Sequence, residues 1–232
     1  MRSLTKLAML AGITACELQS QDAVMTSLRA VRDVAPDTDP NSDFWRNAPR
    51  VIAERDAFGN LVPRHRTEIR SRWTPENLYF LFICHYEQLY LKPNPTTGAE
   101  TNELWKWDVA EVFLGSDFQD IRRCEEFEVS PQGEWVDLDI DLHKPHHEDG
   151  WMWNSGFRVA AQIDRSAKIW YGAMRIPFAA LVSQAVHPGV EFRVNLYRGQ
   201  GPQSGWKGIA WQPMMSKTFH VPERFGLLKL VD

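Results

Sequence analysis

Trp105-Lys106-Trp107-Asp108-Val109-Ala110-Glu111-Val112-Phe113-Leu114-Gly115 is the stretch that fixes the fold class. In an extended chain the side chains alternate between two faces. Trp105, Trp107, Val109, Glu111 and Phe113 then share one face, and Ala110, Val112 and Leu114 the other. The second set is a core face. The first joins aromatic rings to one carboxylate, a combination suited to a polar molecule with an apolar side, and sugars are the commonest molecules of that kind. Strands also favour aromatics for packing alone, so tryptophans that merely cover a sheet edge are the competing reading.

On both sides of this stretch, short apolar runs alternate with turn signals. The runs are Glu68–Trp73, Leu78–Cys84, Val109–Leu114, Glu126–Val129, Trp135–Ile140, Phe157–Ile163, Ile169–Ile176, Glu191–Tyr197, Gly208–Gln212 and Phe225–Leu230. Thr74-Pro75-Glu76-Asn77, Ser130-Pro131-Gln132-Gly133 and His187-Pro188-Gly189 separate some of them. About ten strands at this spacing predict an all-β, antiparallel, jelly-roll-like β-sandwich with one or two short helices. One helix is expected over Pro177–Ser183, where the proline suits a first helical position.

The length of 232 residues suits one domain with a short leader. Apolar residues make up 44% and charged residues 24%, enough for a packed core and against disorder. The net charge of -4 and the absence of a basic block exclude nucleic acid as a partner. The excess is aromatic, with Trp 10, Phe 12 and Tyr 5, and large stiff rings serve cores and binding platforms alike. Cys84 and Cys124 read as buried thiols, a disulfide between them being the alternative, and no zinc spacing occurs.

Residues 1–16 resemble a lipoprotein-type signal: Arg2 and Lys6, an apolar run, then Ile13-Thr14-Ala15-Cys16 in the manner of a lipobox. That reading implies export to the cell envelope, with the membrane met only through a lipid anchor at Cys16. The alternative is an ordinary N-terminal helix in a cytoplasmic chain. Residues 17–42 read as a polar leader or linker, closing in the Pro/Asp/Asn/Ser stretch Ala35–Ser42, and residues 43–232 as the folded domain.

Glu111 and Glu128 fall on successive expected strands. Two carboxylates ~5–10 Å apart are what glycoside hydrolysis uses, and the same pair accepts hydrogen bonds from sugar hydroxyls with no tuning at all. Asp137, Asp139 and Asp141 share a strand face. A straight strand spreads them ~6.6 Å per step, so a solvated face competes with a groove-facing aspartate. Calcium is an optional ion and no cofactor is required. Asn195, with Arg193 on its face and Arg198 on the other, adds planar groups that pair with vicinal hydroxyls.

With these residues assembled, the chain resembles the family 9 carbohydrate-binding modules within the DOMON-like β-sandwich group, over about Asp43 to Leu230. The resemblance rests on Asp43-Phe44-Trp45, Arg72-Trp73-Thr74-Pro75-Glu76-Asn77-Leu78-Tyr79, Trp107-Asp108-Val109-Ala110-Glu111-Val112-Phe113 and Phe127-Glu128-Val129-Ser130. It continues in Arg175-Ile176-Pro177-Phe178 and His220-Val221-Pro222-Glu223-Arg224-Phe225-Gly226. It implies two aromatic rings that clamp a terminal sugar: Trp105 matches the first, and Phe219 stands where the second is a tryptophan. Glu111 matches the family's strand glutamate and Asn195 its late-strand amide. The family's arginine on the next strand is replaced here by Glu128, a reversal of charge. The implied function is non-catalytic binding of an oligosaccharide or polysaccharide, of the xylan or cellulose type, in service of a glycosidase partner. The implied ligand-binding set is Trp105, Glu111, Glu128, Asn195, Arg198 and Phe219. A glycoside hydrolase acting through Glu111 and Glu128 is the alternative.

Overall fold

The computed structural model describes residues 23–232. The lipobox reading at Cys16 lies outside the described residues. Twelve strands form in chain order: β1 Val24–Arg29, β2 Arg50–Ala53, β3 Thr67–Trp73, β4 Asn77–His85, β5 Val109–Gly115, β6 Arg123–Val129, β7 Trp135–Asp141, β8 Arg158–Asp164, β9 Ile169–Pro177, β10 Glu191–Gln200, β11 Lys207–Ala210 and β12 Gly226–Val231. Ten of them make one continuous hydrogen-bonded path, β7-β6-β5-β10-β12-β1-β3-β4-β9-β8, with β11 added to β10 and β2 to β3.

The path folds on itself. Leu78, Phe80 and Phe82 of β4 and Trp170, Met174 and Ile176 of β9 pack in one core with Ala110, Val112 and Leu114 of β5 and Val194 and Leu196 of β10. The two halves thus face each other as a sandwich, with β1 at the fold between them. The even-numbered side chains of β5 fill this core as the alternation demands. β4 is buried on both faces because Tyr79 and Leu81 point outward into a smaller cluster with Trp45 and Ala173. A second cluster covers the outer face of the β7-β6-β5-β10 half: Val109, Phe113, Val136, Leu138, Ile140, Tyr197 and Phe219 belong to it.

Three expectations change. β1 lies within the stretch read as a leader, and it pairs parallel to both β12 and β3, so the sheet is not purely antiparallel. A parallel pair needs a long connection, and the chain between β1 and β3 supplies one. Ala35–Ser42 is no free linker either: Trp45 donates its indole N–H to Asp37 O at 2.7 Å. The helix expected over Pro177–Ser183 shrinks to a 3₁₀ turn at Phe178–Ala180, because Pro177 still pairs with Asn77 as the last residue of β9. The other helical pieces among the described residues are also 3₁₀ turns. Cys84 and Cys124 are buried free thiols in different clusters.

Candidate functional site

Register builds the site on the outer face of β7-β6-β5-β10. Tyr197 pairs with Glu111, Glu111 with Glu128, and Glu128 with Val136, which makes one rung across four strands. The next rung is Asn195, Phe113, Glu126 and Leu138. β6 reads Arg-Cys-Glu-Glu-Phe-Glu-Val, so Phe127 and Val129 enter the main core while Glu126 and Glu128 face outward with Glu111. A polar sheet face of this kind is normally wet. Here the segments around His147 and Lys217–His220 enclose it, and a cavity of about 550 Å³ lies between. Its lining includes Trp105, Glu111, Phe113, Glu126, Leu138, Ile140, His147, Trp206, Phe219 and His220, within the usual size of small-ligand sites.

The carboxylates are held in an apolar setting. Glu111 and Glu128 are fully buried, and burial pushes both carboxyls well above the usual range; the neighbouring Glu126 charge adds to this for each, and Glu111 adds further for Glu128. The direct register of Glu111 with Glu128 places two like groups opposite, which each raise the cost of ionising the other. His220 Nε2 stands 3.3 Å from Glu126 Oε2. Its ring meets Phe113 edge-on at 5.3 Å and His147 at 4.4 Å. Burial, then the His220 charge, holds the His147 imidazole below its ordinary range.

The aromatic walls are distributed differently from the sequence expectation. Trp105 is not on the strand: Glu103 adopts left-handed backbone with φ 60°, and Leu104–Lys106 forms a 3₁₀ turn before β5 begins at Val109. The turn still carries Trp105 to the cavity wall. Trp107 leaves the site and stacks on Tyr90 at 4.8 Å. Phe219 lines the cavity, yet its ring lies flat on Tyr197 at 4.2 Å with an interplanar angle of 9°, and only 9% of the residue is exposed. The exposed ring on that side is Trp206, at 36%, which the sequence reading did not select. Its signal was the glycine pair Gly199 and Gly208, opposite each other on β10 and β11. A Cβ at Gly199 would stand 3.1 Å from the Trp206 indole nitrogen, so the glycines make the seat for this ring.

Asn195 and Arg198 do not reach the cavity. Asn195 donates to Tyr197 Oη at 2.6 Å and to Gln212 O at 2.9 Å, and accepts from Gln212 N at 3.1 Å. Its amide is thereby spent on tying the 212–220 segment to β10, and Tyr197 Oη donates onward to Phe219 O at 3.1 Å. Arg198 points to the opposite face. It is wholly buried, donates to His85 O at 2.5 Å and lies over Trp170 at 5.8 Å. One-residue alternation along β10 forces this, since Tyr197 faces the cavity side. Glu128 is wholly buried and does not line the cavity, whereas Glu126 and Glu111 do. The β7 aspartates also face away: Leu138 and Ile140 line the cavity, while Asp137 accepts from Ser155 N at 2.7 Å and Asp141 pairs with Arg123 at 2.9 Å.

No protein-family model matches the chain, and no curated protein matches it. Solved structures do. A family 9 carbohydrate-binding module from Caldicellulosiruptor kristjanssonii in complex with cellotriose aligns with TM-score 0.64 at 14% identity, over 90% of this chain and 94% of the other. The complex of such a module from the same organism with glucose gives 0.63 at 15% identity, over 90% and 95%. A candidate carbohydrate-binding protein from Bacteroides uniformis gives 0.68 at 13% identity, over 90% and 100%. At these identities the likeness establishes the fold: the chain folds as a family 9 carbohydrate-binding module does.

Proposed function

We propose that this chain binds carbohydrate in the cavity over β5 and β6 and does not turn it over. The observation that carries the reading is the composition of that one cavity: indole rings at Trp105 and Trp206 on its walls, and carboxylate acceptors Glu111 and Glu126 on its floor. A sugar ring presents C–H groups to an aromatic face and hydroxyl donors around its edge, and both kinds of partner are present. The shared fold with modules bound to cellotriose and glucose makes cello-oligosaccharides and glucose the natural probes. A xylan- or cellulose-type glycan, a glycosidase partner and an anchor at Cys16 extend the same reading from the sequence.

Titration of tryptophan fluorescence with a panel of these sugars tests it. Saturable quenching is expected, weakened in Trp105→Ala and in Trp206→Ala. Stacking on an aromatic contributes about 0.5–1.5 kcal/mol beyond buried area, which corresponds to roughly two- to tenfold in affinity per ring. A panel without response, or variants that bind as the wild type does, would overturn the proposal.

Glycoside hydrolysis is the second reading, favoured by the direct register of Glu111 with Glu128 and by the burial that raises both carboxyls above their ordinary range. Turnover of a chromogenic glycoside that disappears in Glu111→Gln would establish it in place of binding alone.

A further inference from the structure

Glu128 is fully buried, and neither of its carboxylate oxygens has a hydrogen-bond donor. Glu111 Oε1 is in the same state. One oxygen from each of Glu111, Glu126 and Glu128 lies within 4.8 Å of the other two. The neighbours of Glu128 in this trio, Glu111 and Glu126, are themselves acceptors. Buried carboxylates this close, with no donor between them, require a proton or a cation. The nearby basic side chains do not supply it: Lys106 is paired with Glu103, Lys217 stands exposed on the rim, and His220 approaches Glu126 from the cavity side.

We propose that Glu111, Glu126 and Glu128 hold a hard divalent cation, of the Ca²⁺ or Mn²⁺ type, in the floor of the cavity, with His220 Nε2 at its edge. Oxygens bound to one Ca²⁺ at 2.3–2.6 Å lie no more than roughly 5 Å apart, the spacing this trio already has. An all-carboxylate first set suits Ca²⁺, Mg²⁺ or Mn²⁺ better than softer ions. The ion would use the oxygens that lack donors. Its remaining coordination positions would open towards the cavity through Glu111 and Glu126, the two members that line it. The site stands on carboxylate geometry and does not depend on the cavity taking a sugar.

The test is calorimetric titration of the full chain, stripped with EDTA, with CaCl₂ and separately with MnCl₂ at neutral pH. One ion per chain is expected, with affinity at least tenfold lower in Glu126→Gln and in Glu128→Gln. Neutralising one member of a buried acidic trio should leave the fold intact, which a thermal melt of each variant checks. A readout on the wild type stands apart from the variants. Tb³⁺, an oxygen-seeking surrogate for Ca²⁺, should luminesce when the tryptophans are excited, since Trp105 and Trp206 flank the cavity, and Ca²⁺ should quench that signal. Absence of both heat and sensitised luminescence would overturn the proposal, as would binding undiminished in both folded variants. A response to glucosamine with neither ion bound would also overturn it, and would give the carboxylates to an ammonium group instead.

Discussion

Asp33 Oδ1 takes three hydrogen bonds at once: from Thr74 Oγ1 at 2.6 Å, Asn77 Nδ2 at 2.7 Å and Tyr79 Oη at 2.8 Å. Burial opposes its ionisation, but the three donors and the Arg175 charge outweigh burial and hold the carboxyl below its ordinary range. Burial also pushes the Tyr79 phenol up to about 12, so that donor stays protonated at any ordinary pH. A carboxyl depressed in the folded state contributes stability above its unfolded value, and that contribution disappears as pH falls through the folded value. Asp33→Asn should therefore cost about 1 kcal/mol at pH 7, at the low end for bonds to a charged group because Asp33 is exposed and screened. Thermal melts should show the difference closing below about pH 4; a gap unchanged between pH 7 and pH 3 would refute the charge-assisted account. None of this was legible in the sequence, because Asp33 lies 41 residues from Thr74. Glu111 was legible, since strand alternation alone puts it opposite the core face. Arg198 and Asn195 were placed on the correct faces of β10, but alternation does not say which face a loop will seal, or whether an amide is already spent.

At the scale of elements, the β10–β11 hairpin decides the shape of the cavity wall. Gly199 and Gly208 face each other across it, and the Trp206 and Phe219 rings occupy the room their missing side chains leave. A Cβ at Gly208 would stand 2.8 Å from Phe219 Cε1 and Cζ. Because Phe219 lies flat on Tyr197, its ring has nowhere to retreat without breaking that stack. Gly208→Ala should lower stability by about 1–3 kcal/mol, the usual cost of overpacking, and should weaken the proposed sugar binding along with it. Gly205→Ala, where a Cβ meets nothing within 4 Å, is the control and should melt and bind as the wild type does. Equal behaviour of the two variants would show that the wall is softer than the packing implies. The strands themselves were legible wherever two-residue alternation or an unbroken apolar run marked a buried face, which covers β3 to β12. The 3₁₀ turn that carries Trp105 was not: Trp105 and Trp107 continue the alternating pattern of β5, and nothing in that pattern marks the left-handed Glu103 at which the turn opens.

For the whole molecule, β1 is the strand on which the closure of the sandwich depends. It pairs with Leu227–Val231 on one side and with Arg72 and Trp73 on the other, so it joins the two halves of the sheet into one ladder. Met25 and Ser27 are fully buried, and Ser71 Oγ bonds Ser27 Oγ at 2.8 Å in the interior. That buried serine is why Val-Met-Thr-Ser-Leu-Arg reads as polar leader in sequence: one of its two core positions carries a hydroxyl whose partner lies 44 residues away. The same feature makes the strand testable. A chain beginning at residue 33 keeps every element of the cavity but lacks β1, and exposes facing edges of β12 and β3. It should unfold well below a chain beginning at residue 23, and it should aggregate through the freed edges. Met25→Ala in the full chain isolates packing from pairing and should cost about 2–5 kcal/mol. Equal melting temperatures for the two lengths would mean that β12 and β3 can close on each other without β1. The cavity would then owe nothing to the fold between the halves, and the sandwich could be cut back to residue 33 with its site intact.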